Sequence, residues 1–324
     1  MAEKLADNLF ASDIKQAPIR NGYGEALVIL GKENTKVIVL CCDLTESTRS
    51  MEFSKQFPDR FVEVGVAEQN LAGLGAGFAH EGFIPFITSY ATFSPGRNWD
   101  QIRVSICYSG NNVKIIGSHA GISVGPDGAT HQAMEDIAIT RVLPRMTVIV
   151  PCDAIEARKA TIAAANFNGP VYIRLAREKT PQFTTEDTPF EIGKAFVYRE
   201  GKDCTIAAAG PQVYYALQAA DELSKEGIEC EVINVASIKP LDIATLAASV
   251  KKTGCIVTAE EHQVTGGVGS AVAEGLAQTQ PVPQEFVGMP DHFGESGEPN
   301  ELIAKWKMDS KGIIEAVKKV IKRK

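Results

Sequence analysis

Much is missing from this 324-residue chain, and each absence excludes something. No stretch of 18 apolar residues exists, so no membrane-spanning helix is expected. The opening "MAEKLADNLFASDIKQ" has no apolar core of the kind a secretory signal needs. There is no excess of positive charge: 33 Lys and Arg stand against 40 Asp and Glu, a net −7, which argues against nucleic acid as a partner. The basic end "KKVIKRK" reads as a solvated helix terminus. The seven cysteines never form Cys-x-x-Cys and mostly lie in apolar runs, so they read as reduced core thiols of a cytoplasmic protein, without a Cys/His metal site. No P-loop, G-x-S-x-G or H-E-x-x-H occurs, which disfavours nucleotide-cleaving, serine-nucleophile and zinc chemistries.

What is present is alternation. Apolar runs at 37–43, 61–65, 83–88, 113–119, 147–153 and 171–176 read as strands, and helical periodicity fills about 20–33, 67–81, 97–110, 132–143 and 153–167. Asp153 is placed to cap the last of these. The segment 178–190, with its prolines and threonines, breaks the pattern. Strands are then expected at 204–210, 230–237, 255–261 and 284–289, with helices at 211–226, 242–252, 267–278 and after Glu301. The reading is an α/β protein of two domains with mainly parallel sheets flanked by helices: residues 1–182, a linker over 183–191, and residues 192–324.

Open parallel sheets gather their chemistry at the carboxyl ends of strands. One such end is "GVAEQN", where Glu68 opens a helix rich in Gly, Ala and Leu; locally it reads as an acid complementing the helix dipole. Another, "GSHAGISVGPDGATHQ", brings His119, Asp127 and His131 into thirteen residues of a glycine-studded loop, a pattern suited to binding hydroxyls or phosphate. "TSYATF" offers Tyr90 and Phe93 as flat apolar surfaces. Arg20 opens the first helix, and Arg174 and Arg177 lie at a strand end, where guanidinium groups suit phosphate. "GGVG" at 266–269 begins like a phosphate-binding turn without completing the fingerprint.

These stretches resemble the C-terminal half of transketolase over nearly the whole chain. The likeness is carried by "RNGYGEAL", "VAEQNLAGLGAGFA", "SYATF", "DQIR", "GSHAGISVGPDGATHQAMEDIA", "PCD", "IRLARE", "IKPLD" and "EEHQVTGGVGSAV". "GPDGATHQAMED" is the most specific, and looks like transketolase and deoxyxylulose-phosphate synthase more than 2-oxo-acid dehydrogenase β subunits. The resemblance implies a thiamine-diphosphate-binding pyrimidine domain, followed by a transketolase C-terminal domain. It implies transfer of a two-carbon ketol unit from a ketose phosphate to an aldose phosphate, as in the pentose phosphate pathway.

By the same resemblance Glu68 bonds the cofactor's aminopyrimidine while buried and protonated, Phe93 stacks on that ring with Tyr90 close by, and Asp127 and His131 bond substrate hydroxyls. Arg20, Ser47, His119 and Arg177 hold the sugar phosphate, three of them cationic or able to become so. Trp99 is a candidate second aromatic contact, since "SYATFSPGRNWDQ" departs from the family in length. The family's G-D-G motif for diphosphate and metal is absent. The expectation is therefore one subunit of a split transketolase, the separate product of its own gene. Its N-terminal partner brings Mg2+ (or Ca2+ or Mn2+), and the two assemble as an α2β2 heterotetramer with the active centre at their interface. The rival readings are the pyrimidine-binding subunit of another thiamine enzyme, of deoxyxylulose-phosphate synthase or 2-oxo-acid dehydrogenase type, or a non-catalytic module that kept the fold.

Overall fold

The computed structural model describes residues 2–324. The chain enters through a short strand, β1 (Gln16–Pro18), and runs directly into α1 (Ile19–Glu33). Strands β2 (Val37–Cys41), β3 (Phe61–Glu63), β4 (Ile84–Tyr90), β5 (Lys114–Ser118), β6 (Thr147–Ile149) and β7 (Val171–Arg174) follow. Between them lie α2 (Met51–Gln56), α3 (Glu68–His80), α4 (Trp99–Gln101), α5 (Asp136–Arg141) and α6 (Ala154–Asn166). Helix α4 continues as a π-helical stretch over Ile102–Tyr108, where the sequence pattern reads as one long helix. The helix expected over 132–143 is confined to α5, because Ala133 forms a β-bridge with Ala120 that keeps the preceding residues out of the helix; a 3-10 turn lies earlier, at Ile122–Asp127. Helix α2 has no counterpart among the expected elements.

These six strands form one parallel sheet in the order β6-β7-β5-β4-β2-β3. β2, "VIVLC", is buried at every position, as strands covered on both faces must be. Asp153 caps α6 as expected, accepting from Glu156 N–H at 2.9 Å. Helix α1 crosses α6 so closely that a Cβ on Gly22 would meet the Ala154 carbonyl oxygen at 1.8 Å.

The second half holds β8 (Lys179–Pro181), β9 (Phe196–Arg199), β10 (Cys204–Ala208), β11 (Cys230–Asn234), β12 (Ser237–Lys239), β13 (Ile256–Gln263) and β14 (Gln284–Met289). Its helices are α7 (Gln212–Lys225), α8 (Ile243–Thr253), α9 (Val268–Thr279), α10 (Pro299–Lys305) and α11 (Ser310–Ile321). The second sheet runs β14-β13-β10-β11-β9, parallel except for β9.

Two features differ from the expected layout. β12, which starts at the last residue of the run read as one strand over 230–237, leaves the second sheet and pairs antiparallel with β6, extending the first sheet to seven strands. The segment after β7 is an ordered strap. β8 pairs with β1, Phe183 is fully buried, and Asp153 accepts from the N–H of Phe183 and Thr184 at 3.0 and 2.7 Å. Composition hid this, because one buried carboxylate on α6 satisfies the backbone that the prolines and threonines leave unpaired. Arg174, read as an exposed strand end, is buried instead: it pairs with Asp136 at 2.9 Å and donates to the carbonyls of Ala133 and Glu261, tying the two sheets together.

Candidate active site

The carboxyl ends of β2, β3, β4, β5 and β7 open on the same edge of the first sheet, and the candidate residues lie at these ends or on the segments leaving them, except Arg20, which opens α1. Glu68 is the first residue of α3 and only 3% exposed. Its carboxylate takes a long bond from Ser89 Oγ (3.4 Å) at the end of β4 and pairs with Arg97 at 3.3 Å; its backbone carbonyl accepts from Asn98 Nδ2 at 3.0 Å. The end of β4 and the turn that follows it therefore hold one acid. Of the small residues behind it, Gly75 packs on Ile87, while Gly73 and Gly77 face open space.

The aromatic group stands beside this acid. Phe93 and Tyr90 stack with ring centres 6.1 Å apart, and His131 meets Phe93 edge-on at 5.3 Å. Arg97 lies across Phe93, its guanidinium 4.0 Å from the ring centre. Tyr90 also stacks on His119 at 3.9 Å. Asp127 is exposed at the end of the 3-10 turn, and His131 bonds Thr130 Oγ1 at 2.9 Å through Nδ1. Trp99 is not part of this group: its indole N–H donates to the Ile139 carbonyl at 2.6 Å and its ring packs into the core.

The third group is cationic. Arg20 donates to His119 Nε2 at 2.7 Å, and His119 Nδ1 bonds Ser118 Oγ at 2.9 Å. A guanidinium only donates, so Nε2 is the acceptor and the proton sits on Nδ1. Burial, then the charges of Arg20, Arg177 and Arg49, push the imidazole down to about 2. The expectation that His119 adds positive charge is corrected: desolvation next to three guanidinium groups keeps it neutral. Burial, with Arg49 and Arg177 adding, brings Arg20 down to about 10, so it stays charged. Arg177 donates to the Val124 carbonyl at 3.0 Å and pairs with Glu178 at 2.9 Å. Ser47 is half-buried on the turn between β2 and α2.

The structure thus brings together Glu68, Tyr90, Phe93 and His131, and joins Tyr90 through His119 to the arginines. It adds Ser89, Arg97, Asn98 and Arg49, which the sequence reading passed over. Arg97 lies one helical turn from Phe93 in the same segment, a spacing that brings two side chains together and was legible. A concavity of about 1010 Å3 between α1 and α2 is lined in part by Asn21 and Arg49. "GGVG" is not a phosphate turn. Glu260 occupies the start of α9, accepting from Val268 and Gly269 N–H at 2.7 and 2.8 Å, and a Cβ on Gly267 would lie 2.0 Å from its carboxylate.

An open parallel sheet with a buried acid, stacked aromatic rings and paired cations along one carboxyl edge defines a small-molecule-binding α/β protein. Comparison with known proteins narrows this. Residues 15–182 match the family described as transketolase, pyrimidine binding domain, and residues 193–313 match transketolase, C-terminal domain. The chain belongs to the transketolase family. It is 41% identical over 97% of its length to the 6-deoxy-6-sulfo-D-fructose transketolase subunit SqwH of Clostridium sp. (strain MSTE9), covering 98% of that protein. It is 36% identical over 98% of its length to one of the subunits of the apulose-4-phosphate transketolase of Phocaeicola vulgatus, covering 100% of it. Among solved structures it resembles a split gene transketolase, described as an inactive beta4 tetramer. The TM-score is 0.89 at 48% identity, covering 94% of this chain and 98% of that one.

Proposed function

We propose that this chain is the C-terminal subunit of a split transketolase, transferring a two-carbon ketol unit from a ketose phosphate to an aldose phosphate. The observation that carries the reading is Glu68: an acid 3% exposed, at the carboxyl edge of the sheet, linked through Arg97 to the face of Phe93. The similarity to subunits named for sulfofructose and apulose-phosphate transketolases supports it, and leaves the sugar to be determined by assay.

The family works with thiamine diphosphate and a divalent metal. The residues of this edge fit the aminopyrimidine end of that cofactor. Glu68 offers a buried carboxyl to a ring nitrogen, and Phe93, with Tyr90 beside it, offers a flat face now covered by the planar guanidinium of Arg97. When bound, the cofactor supplies the carbon nucleophile and electron sink that amino-acid side chains lack.

The remaining steps belong to this chain. Glu68 holds or releases a proton at its carboxyl. Asp127 and His131 bond sugar hydroxyls and can accept or return a proton at a hydroxyl oxygen. Arg20, Ser47, His119 and Arg177 hold the sugar phosphate, His119 as a neutral group that orients Arg20 through Nε2. The diphosphate and metal fall to an N-terminal partner subunit, in an α2β2 assembly. The description of the split relative as an inactive beta4 tetramer supports a need for that partner. Seven cysteines, all buried as free thiols, support a reducing compartment such as the cytoplasm. The residues to 182 form the pyrimidine-binding domain and those from 192 the C-terminal domain, joined by the strap between.

The test is ketol transfer from xylulose 5-phosphate to ribose 5-phosphate with thiamine diphosphate and magnesium, for this chain with and without the partner. Turnover only in the mixture is expected. A mixture that binds cofactor but leaves both sugars unchanged, while turning over pyruvate, would assign the chain to a different thiamine reaction.

A further inference from the structure

We propose that Arg49 is a third guanidinium of the site's anion-binding end, and that it favours sugar substrates ending in a dianionic phosphate monoester over a singly charged group. This deepens the reading above and rests on its assignment of the anion end.

Arg49 lies in the turn after β2, two residues past Ser47, with a left-handed backbone (φ 68). Its place is set by α1. Gly24 has no side chain, and a Cβ there would meet the Arg49 Cβ and carbonyl oxygen at 2.8 Å, so the turn presses directly on the helix. One turn earlier on α1, Asn21 Oδ1 accepts from Arg49 Nε at 2.9 Å. The residue before Asn21 is Arg20, which binds His119.

Glu25, Glu46 and Glu52 line the same concavity as Arg49 without pairing with it. Among the described residues, neither Arg20 nor Arg49 has a carboxylate within ion-pair distance, whereas Arg177 pairs with Glu178. Of Arg49, Nε alone is engaged, leaving the terminal nitrogens of its fork for a ligand. Helix α1 adds to this: it is 15 residues long, has no acidic residue in its first turn and no side-chain cap. Arg20 and Arg49, two guanidiniums without an ion-pair partner among the described residues, repel one another until an anion joins them. The field of Arg49 reaching both Arg20 and His119 is in keeping with one cluster. A phosphate monoester carries close to two charges at neutral pH and three acceptor oxygens; a sulfonate carries one charge on the same shape. A third guanidinium rewards the second charge.

The test is calorimetric titration of the chain with methyl phosphate and with methanesulfonate, a pair that differs in charge. Wild type is expected to bind methyl phosphate more tightly. Arg49→Gln should weaken methyl phosphate about tenfold and narrow its lead over methanesulfonate, with Arg49→Lys in between, having charge without the fork. In the assembled enzyme Arg49→Gln should raise KM for the phosphorylated sugar more than it lowers kcat. Equal affinity of wild type and Arg49→Gln for methyl phosphate overturns the role of Arg49 alone. Failure of wild type to bind either anion overturns the anion end itself, and both statements with it. Because neither titration needs turnover, a failed ketol-transfer assay leaves this result readable.

Discussion

Arg97 and Glu68 are 29 residues apart in sequence and joined across 3.3 Å, with the Arg97 guanidinium over Phe93, 4.0 Å from the ring centre. One side chain therefore covers both groups assigned to the cofactor's ring. Arg97 is half-exposed, so it can swing aside at modest cost, while Glu68 stays fixed by its burial.

Replacing Arg97 with Ala should uncover Phe93 and free Glu68. The lost ion pair and ring contact together are worth about 1 kcal/mol, so thiamine diphosphate should bind roughly fivefold more tightly in the assembled complex. A fluorescence titration measures this. Weaker binding would mean that Arg97 helps hold the cofactor.

Glu68→Gln keeps the shape and the Ser89 contact while removing the exchangeable acid. Turnover should fall by about a hundredfold or more, with unfolding unchanged within about 1 kcal/mol. Near-normal turnover in this variant would remove Glu68 from the chemistry.

His119 is held neutral, down to about 2, whereas an unfolded histidine titrates near 6.5. Between those values the unfolded chain binds a proton that the folded chain refuses. The stability this site allows is thus complete above about pH 6.5 and is lost as pH falls, by about 1.4 kcal/mol per unit. Glu156 and Glu260, raised to about 7 by burial, act in the opposite sense between about pH 4.5 and 7. Urea unfolding of wild type and His119→Asn at pH 7 and 5.5 separates the two: the histidine's share of the slope should vanish in the variant. Nitrogen NMR should show its ring untitrated from pH 5 to 8.

Trp99→Phe removes the bond to the Ile139 carbonyl and should cost about 1 kcal/mol of stability. Cofactor affinity should not change. A loss of affinity larger than the loss of stability would return the indole to the site.

Gly267→Ala drives a methyl group into Glu260 at the start of α9 and should destabilise by about 2 kcal/mol, read from the urea midpoint. An unchanged midpoint would mean that the turn relaxes without cost.

How much of this was legible can be argued residue by residue. Alternating apolar runs and helical periods located β2, β4, β5, α1, α3 and α6, because burial on both faces of a parallel sheet writes a continuous apolar run into the chain. The cap at Asp153 was equally local. Short elements such as β1, β8 and α2 left no periodic trace, since three to six residues are too few to show one.

The candidate site divides the same way. The residue types at strand ends pointed to Glu68, Phe93, His119 and Arg20, and the family resemblance supplied their roles. What the sequence by itself determined was the class of fold and the edge on which chemistry collects, both consequences of local hydrophobic pattern and strand direction. Tertiary structure alone decided that His119 is neutral, that Glu68 meets Arg97, that Trp99 and Arg174 are structural, and that β12 joins the other half's sheet. Each depends on burial and on groups distant in the chain, and desolvation and Coulomb forces act through space, where sequence separation carries no information.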